Sequence, residues 1–230
     1  MLQKAAAVDN RAAARMFPAA AALGLIFLTA ATPQRMADGN LVTSTADPRV
    51  RIEVPARAAY VGTNAWVLYG IADCRQFVYA EAGSSKIVQR LYWIQFESYL
   101  PALPKLHHQY TSKRHARLGG LDFYVDTWTE DNRKANAHAE DLAPLEAFLR
   151  SKGYAVPNGI DSGSDERHVD ALLAAKGYRL PGLSASVRFV HLADARERKE
   201  LMIVYSENAG AGRTPDELIR RAAGLVGVSP

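Results

Sequence analysis

The chain has 230 residues, 48% of them hydrophobic and 23% charged, with a formal net charge of +4 and a single cysteine. That length holds one large domain or two small ones, and a lone cysteine excludes an internal disulfide framework. The charge is no nucleic-acid footprint: residues 1–31 carry three of the 28 basic and one of the 24 acidic side chains, leaving the rest at +2, with no clustered basic face.

The N-terminus reads as an export address. Lys4, Arg11 and Arg15 precede an uncharged run from Phe17 to Ala31. Fifteen residues is short of the roughly 20 that a membrane-spanning helix needs, and suits the apolar core of a signal peptide after a basic start. Thr29 and Ala31 are small residues in the positions a signal peptidase requires. Residues 1–31 are therefore expected to be a signal peptide, or an inner-membrane anchor if uncleaved, with Met1 or Met16 as the start. The expected location is periplasmic or secreted. No lipid-attachment cysteine is present, because Cys74 lies far downstream in a strand-like stretch and is expected to be a buried core residue.

Residues 32–48 are polar and punctuated by Pro and Gly, and read as a flexible linker. In RVRIEV (49–54) Val50, Ile52 and Val54 alternate with charged residues, the pattern of a half-buried strand. Between Tyr60 and Trp128 lie 13 of the 20 aromatic residues, a composition that favours strands. Strands are predicted at 59–61, 65–71, 74–82 and 86–98, with a hairpin turn at Ala82-Gly83-Ser84-Ser85. After a Pro-rich corner, a second hairpin is predicted at Gly119-Gly120. Its second arm, LDFYVDTWTED (121–131), places Leu121, Phe123 and Val125 on one face and Asp122, Tyr124, Asp126 and Trp128 on the other.

Helical spacing follows at 140–152 and 165–176, with Ser164 as an N-cap for the second. Both helices end in the same phrase, LRSKGYAVP (149–157) and LAAKGYRLP (173–181). Gly past the last turn, Tyr packing back on the Leu, Lys at the negative end of the dipole and Pro beyond are all devices that stop a helix. The phrase also resembles the helix–Gly-Tyr–turn of peptidoglycan-binding modules over about 30 residues, without their Thr-x-x-Ala and Phe-Gln signature; the resemblance implies an association with the cell wall. Segments 186–193 and 199–207 return to strand composition around a tip in which Arg196, Arg198 and Lys199 alternate with acids, read as a solvated mixed-charge turn. Thr214, Pro215 and Glu217 form a helix-start signal. Strands followed by helices, then a hairpin and a helix, predict an α+β fold. It is a mainly antiparallel sheet with about three helices packed on one face, forming one domain over 49–230.

No nucleophile elbow, Walker loop, dinucleotide fingerprint or EF-hand spacing is present. His107, His108, His115, His138, His168 and His191 show no ligand spacing and read as scattered surface residues, apart from His191, which shares an apolar strand face with Val187 and Phe189. No metal or cofactor is expected. Arg90 falls on the strand face of Val88, Tyr92, Ile94 and Phe96, where a guanidinium needs an acidic partner, whether an internal carboxylate or a ligand. Tyr124 and Trp128 beside Asp126 suit a sugar or a cation, as does any exposed face made soluble by acids. The candidate ligand-binding residues are thus Arg90, Tyr92, Tyr124, Asp126, Trp128 and His191. The reading that follows is an exported, bacterial-type, non-enzymatic ligand-binding or protein-interaction module whose partner is a cell-envelope component or small ligand, which binds no nucleic acid and meets the membrane only through its N-terminal segment. An exported hydrolase using Asp122, Asp126 or His191 and a peptidoglycan-associated module are the alternatives.

Overall fold

Alternating apolar and polar residues build two antiparallel sheets that share a core. Residues 34–134, 142–156, 165–209 and 214–230 are described in a computed structural model, all within one unit spanning Pro33–Pro230. The expected leader, His138, Pro157 and the cap Ser164 lie outside the described residues.

In chain order the first strands are β1 (Arg35–Asp38), β2 (Leu41–Ser44), β3 (Val50–Glu53), β4 (Ala59–Leu68), β5 (Ala72–Ala82) and β6 (Val88–Tyr99). Then come β7 (Arg114–Leu118), β8 (Leu121–Asp131), the helices α1 (Ala143–Ser151) and α2 (Asp165–Ala175), and β9 (Leu183–Leu192). The chain closes with β10 (Lys199–Asn208), α3 (Pro215–Leu225) and β11 (Gly227–Ser229). The small sheet runs β1-β2-β3-β11 and the large one β4-β5-β6-β10-β9-β8-β7. The C-terminal hairpin thus enters the middle of the large sheet, so β5, β6 and β10 are buried on both faces.

One face of these strands carries Phe77, Tyr79, Tyr92, Ile94, Phe96, Leu201, Ile203 and Tyr205, which pack with Val42 and Ile52 of the small sheet and Leu218 and Ala222 of α3. The other face carries Val78, Ala80, Trp93, Met202 and Val204, covered by Val169 and Leu173 of α2. A third cluster joins Leu149 of α1 to Ile71, Ala72 and Leu106. α2 and α3 therefore cover opposite faces of the large sheet. This corrects the expectation of helices on one face: β5, β6 and β10 carry apolar side chains in both directions, and each direction needs its own cover.

The local signals act as the sequence indicates. Gly153 and Gly177 have φ of +79° and +74°. The Tyr154 and Tyr178 amides donate to the Leu149 and Leu173 carbonyls at 3.0 and 2.9 Å. Both ends are Schellman caps, and each Tyr shares a hydrophobic cluster with its Leu. Thr214 and Glu217 form the reciprocal capping box of α3. Three readings change. Residues 35–44, read within a linker, form the β1–β2 hairpin around Gly39. The two strands predicted at 59–61 and 65–71 are one strand, β4, with a register shift near Tyr60 and Gly62. A second shift between Glu81 and Ala82 moves Val88 into the cluster under α2, so it does not share a face with Arg90 and Tyr92.

Arg90 meets its partner through that second shift. The Glu81 carboxylate accepts from Arg90 Nη1 at 2.8 Å, Arg57 Nε at 2.7 Å and the Tyr92 hydroxyl at 2.5 Å. Burial alone pushes the Glu81 carboxyl up, but these three donors outweigh it and hold the group below its ordinary value near 4.5.

Substitutions at three positions probe this framework. At Gly119, φ is +56° and an added Cβ would sit 2.0 Å from the Val228 carbonyl oxygen, whereas at Gly120 (φ +85°) nothing lies within 4 Å. Gly120→Ala is expected to cost about 1–2 kcal/mol from the left-handed backbone alone, and Gly119→Ala clearly more; urea denaturation of both measures the difference. Glu81→Ala leaves Arg90 and the Tyr92 hydroxyl without their acceptor and is expected to cost on the order of 3 kcal/mol. Because the folded-state value is lowered, the Glu81 contribution is complete above the ordinary titration range and disappears as pH falls through the folded value. Wild type should therefore lose stability below about pH 4 more steeply than Glu81→Gln in a pH series of melting curves.

Candidate functional site

The six residues singled out from the sequence fall in three places. Arg90 and Tyr92 belong to the Glu81 cluster on the face toward the small sheet. Tyr124, Asp126 and Trp128 lie on the α2 face. There Asp126 pairs with Arg188 at 2.9 Å, and the Arg188 guanidinium lies 5.7 Å over the Tyr110 ring. Tyr124 packs 5.7 Å from Tyr110, and Trp128 lies against the cluster beneath α2. His191 sits on the opposite face, 5.5 Å from Phe123, with Nδ1 2.9 Å from the Asp122 carbonyl. Asp126 and His191 thus point to opposite sides of the sheet, and the set Asp122, Asp126 and His191 does not converge.

On the α2 face, strand register brings together residues far apart in sequence. Cys74 of β5 is directly opposite Glu97 of β6, and Glu97 is directly opposite Glu200 of β10. The next row along β5 and β6 is Gln76 opposite Gln95. Glu97 and Glu200 are only 8% and 3% exposed. The Gln95 amide donates to Glu97 at 3.2 Å, while its carbonyl accepts from Trp93 Nε1 at 2.9 Å and from Gln76 Nε2 at 3.2 Å. Tyr110 donates its hydroxyl to Glu200 at 2.6 Å, and His108 Nδ1 lies 3.0 Å from the same oxygen. Burial, then the facing Glu200 and Asp165 carboxylates, push Glu97 well above the ordinary carboxylate range. Burial and then Glu97 push the Cys74 thiol up as well.

His108 reaches this row on the irregular segment after β6. Arg198 holds that segment by donating to the carbonyls of Leu103, Tyr99 and Leu100 at 2.9, 3.2 and 2.8 Å. The His108 amide donates to the Glu197 carbonyl at 2.7 Å, and Asp194 accepts from the Arg198 and Lys199 amides. Two readings are corrected here. His108 is 6% exposed and not a surface histidine, and the 194–199 tip is a clamp and not merely a solvated turn.

A second polar site opens on the other face. A groove of about 600 Å³ lies where β1 and the Ala46 turn meet the ends of β4 and β6 and the starts of β5 and β10, with Arg35, Arg75, Lys199, Asp73 and Ser98 among its lining. Arg35 stacks 4.7 Å over the Phe96 ring and donates Nη2 to the Asp47 carbonyl at 3.1 Å, while its Nε is buried without a hydrogen-bond partner. Burial, then the Arg75 charge, lower the Arg35 pKa. Lys199 is paired with Asp47 at 2.8 Å. Among the described residues, no carboxylate is in salt-bridge contact with Arg35 or Arg75. The sequence reasoning missed Arg35 because it lay in the presumed linker. It also missed Glu97, Glu200 and His108, whose one visible signal was Gln95 and Glu97 continuing the strand face of Leu91 and Trp93 along β6.

Cys74 is 4% exposed with a raised pKa, so the thiolate that reacts with alkylating or disulfide reagents is scarce. The folded protein should leave Cys74 unmodified by a disulfide reagent at pH 8 over minutes, with one thiol titrating on addition of denaturant; rapid modification without denaturant would contradict this burial. Among the described residues no helix is long and apolar enough to cross a membrane. Comparison of the chain with protein-family models, with curated proteins and with solved structures found no match.

Proposed function

We propose that this protein is an exported ligand-binding module whose ligand is a small anion or an acidic group of a cell-envelope component, held in the groove between the two sheets. Arg35 carries the reading. A half-buried guanidinium whose Nε is buried without a hydrogen-bond partner, beside the Arg75 guanidinium and near but not in salt-bridge contact with the Asp47 and Asp73 carboxylates, has donor capacity left for an anion. Charged side chains taken from water need a partner of opposite sign, and a carboxylate or phosphate matches the planar donor fork of arginine. The groove volume falls within the range typical of small-molecule sites. Ala46, Ala65 and Val67 supply an apolar wall against which the rest of a ligand can lie. Lys199, already paired with Asp47, contributes steering more than a free contact.

Export rests on the basic start and uncharged run of residues 1–31. A secreted binding module with a rigid sheet under its groove fits such an address. N-terminal sequencing of the protein recovered from each cell fraction tests it, and recovery of the intact chain in the cytosol would remove the proposed location.

Binding is tested by thermal shift and calorimetry with phosphate, sulfate and short dicarboxylates. Wild type should be stabilised by at least one of them, with an affinity that weakens as salt increases. Arg35→Ala and Arg75→Ala should each weaken binding about 10- to 100-fold, the loss of one charge-assisted hydrogen bond. No anion response at millimolar concentration, or a response unchanged in both variants, would overturn the reading.

A further inference from the structure

We propose that Glu97, Glu200 and His108 form a binding site for one divalent transition-metal ion, within the large sheet and on the face opposite the anion groove. The geometry comes first. One ligand atom from each of the three residues lies within 4.8 Å of the others, and all three side chains are buried. His108 Nδ1 and Glu200 Oε2 are 3.0 Å apart, close enough to serve as adjacent ligands of one ion. The two carboxylates come from directly opposed positions on neighbouring strands, where like charges repel.

The surroundings carry the inference further. Among the described residues, no lysine or arginine forms a salt bridge to Glu97 or Glu200. Apart from His108 itself, the groups that touch them include the Gln95 amide and the Tyr110 hydroxyl. These donors orient the carboxylates without neutralising them, as outer-shell groups do around a metal. This contrasts with Glu81, the buried carboxylate of the other face, which has two guanidiniums.

Unpartnered polar atoms mark the same place. His108, 6% exposed, has a buried Nε2 with no hydrogen-bond partner, and the fully buried Gln76 has an unpartnered Oε1. Buried polar groups are nearly always paired. The His108 orphan, on the imidazole that touches Glu200, indicates a missing component, and the Gln76 orphan lies in the next row. An imidazole with two carboxylates selects a borderline ion such as zinc or manganese over calcium, which prefers an all-oxygen shell.

Cys74 and Asp165 form a neighbouring set with Glu97, also within 4.8 Å. The proposed ion occupies the Glu97–His108–Glu200 set, because that set alone combines an imidazole with burial of all three members.

The test uses the full chain, stripped with a chelator and dialysed, then titrated with Zn²⁺ and with Mn²⁺ while melting temperature and heat are recorded. One ion per chain is expected to bind and to raise the melting temperature. Glu200→Gln keeps the shape and removes the opposed charge, so the stripped variant should melt no lower than stripped wild type. It should nevertheless lose at least 100-fold in metal affinity. His108→Ala should lose the same response, whereas Cys74→Ala should keep it. The proposal is overturned if wild type shows no saturable binding. It is equally overturned if Glu200→Gln binds as tightly as wild type, or if Cys74→Ala abolishes binding while His108→Ala leaves it intact.

Discussion

Burial of the central strands on both faces is the constraint from which most of this structure follows. β5, β6 and β10 have the small sheet and α3 on one side and α2 on the other. No side chain in their middle can turn to water, so each polar group placed there must find its partners within the protein. The strand register decides which partners those are. It sets Glu81 opposite Arg90 and Glu97 opposite both Cys74 and Glu200. The covering elements do the rest. The segment clamped by Arg198 delivers His108 and Tyr110, and α2 lies close on β4, with Leu172 against Gly62 and His168 stacked 4.0 Å from Trp66.

What the sequence made legible was local. Helix stops at Gly153 and Gly177, the Thr214 capping box and the Gly119-Gly120 turn depend on neighbours within a few residues, and the side chains that perform them are visible in a linear reading. The β1–β2 hairpin was also signalled, since its two-residue loop Gly39-Asn40 is a favoured hairpin turn pair. Four-residue strands with mixed polarity gave it no periodic support, so the Gly read as linker punctuation.

What escaped the sequence was everything that depends on which strand lies next to which. Glu97 and Glu200 sit in strands whose alternation allows an outward polar face, and only the insertion of β10 beside β6 turns that face inward. His108 lies on a segment without periodicity, placed by carbonyl contacts to an arginine far along the chain. The candidate residues Tyr124, Asp126 and Trp128 were correctly placed on one face of β8, yet their role depends on Arg188 and Tyr110, which connect that face to the buried glutamates. The divergence of Asp126 and His191 onto opposite faces has the same origin. Parity along one strand is readable, but its relation to the parity of the next strand is not.

The two buried acid clusters differ in what they contribute. Glu81 lies near the end of its strand, has two guanidiniums and a tyrosine hydroxyl, and joins β5, β6 and the loop before β4; it is a closed structural unit. Glu97 and Glu200 are oriented by neutral donors and placed directly against each other, an arrangement that weakens a sheet unless a proton or a cation lies between them. Apolar residues at both positions would pack against α2 without that repulsion, and replacing buried charge by well-packed apolar groups is commonly neutral or stabilising. Stability therefore accounts for the first cluster and not for the second. The same reasoning applies across the sheet at Arg35, which has Arg75 beside it and no salt bridge of the kind Glu81 makes with Arg57 and Arg90. In both places the unbalanced charge belongs to a group that the fold holds rigidly in position, as a site must be for its ligand to supply the missing sign.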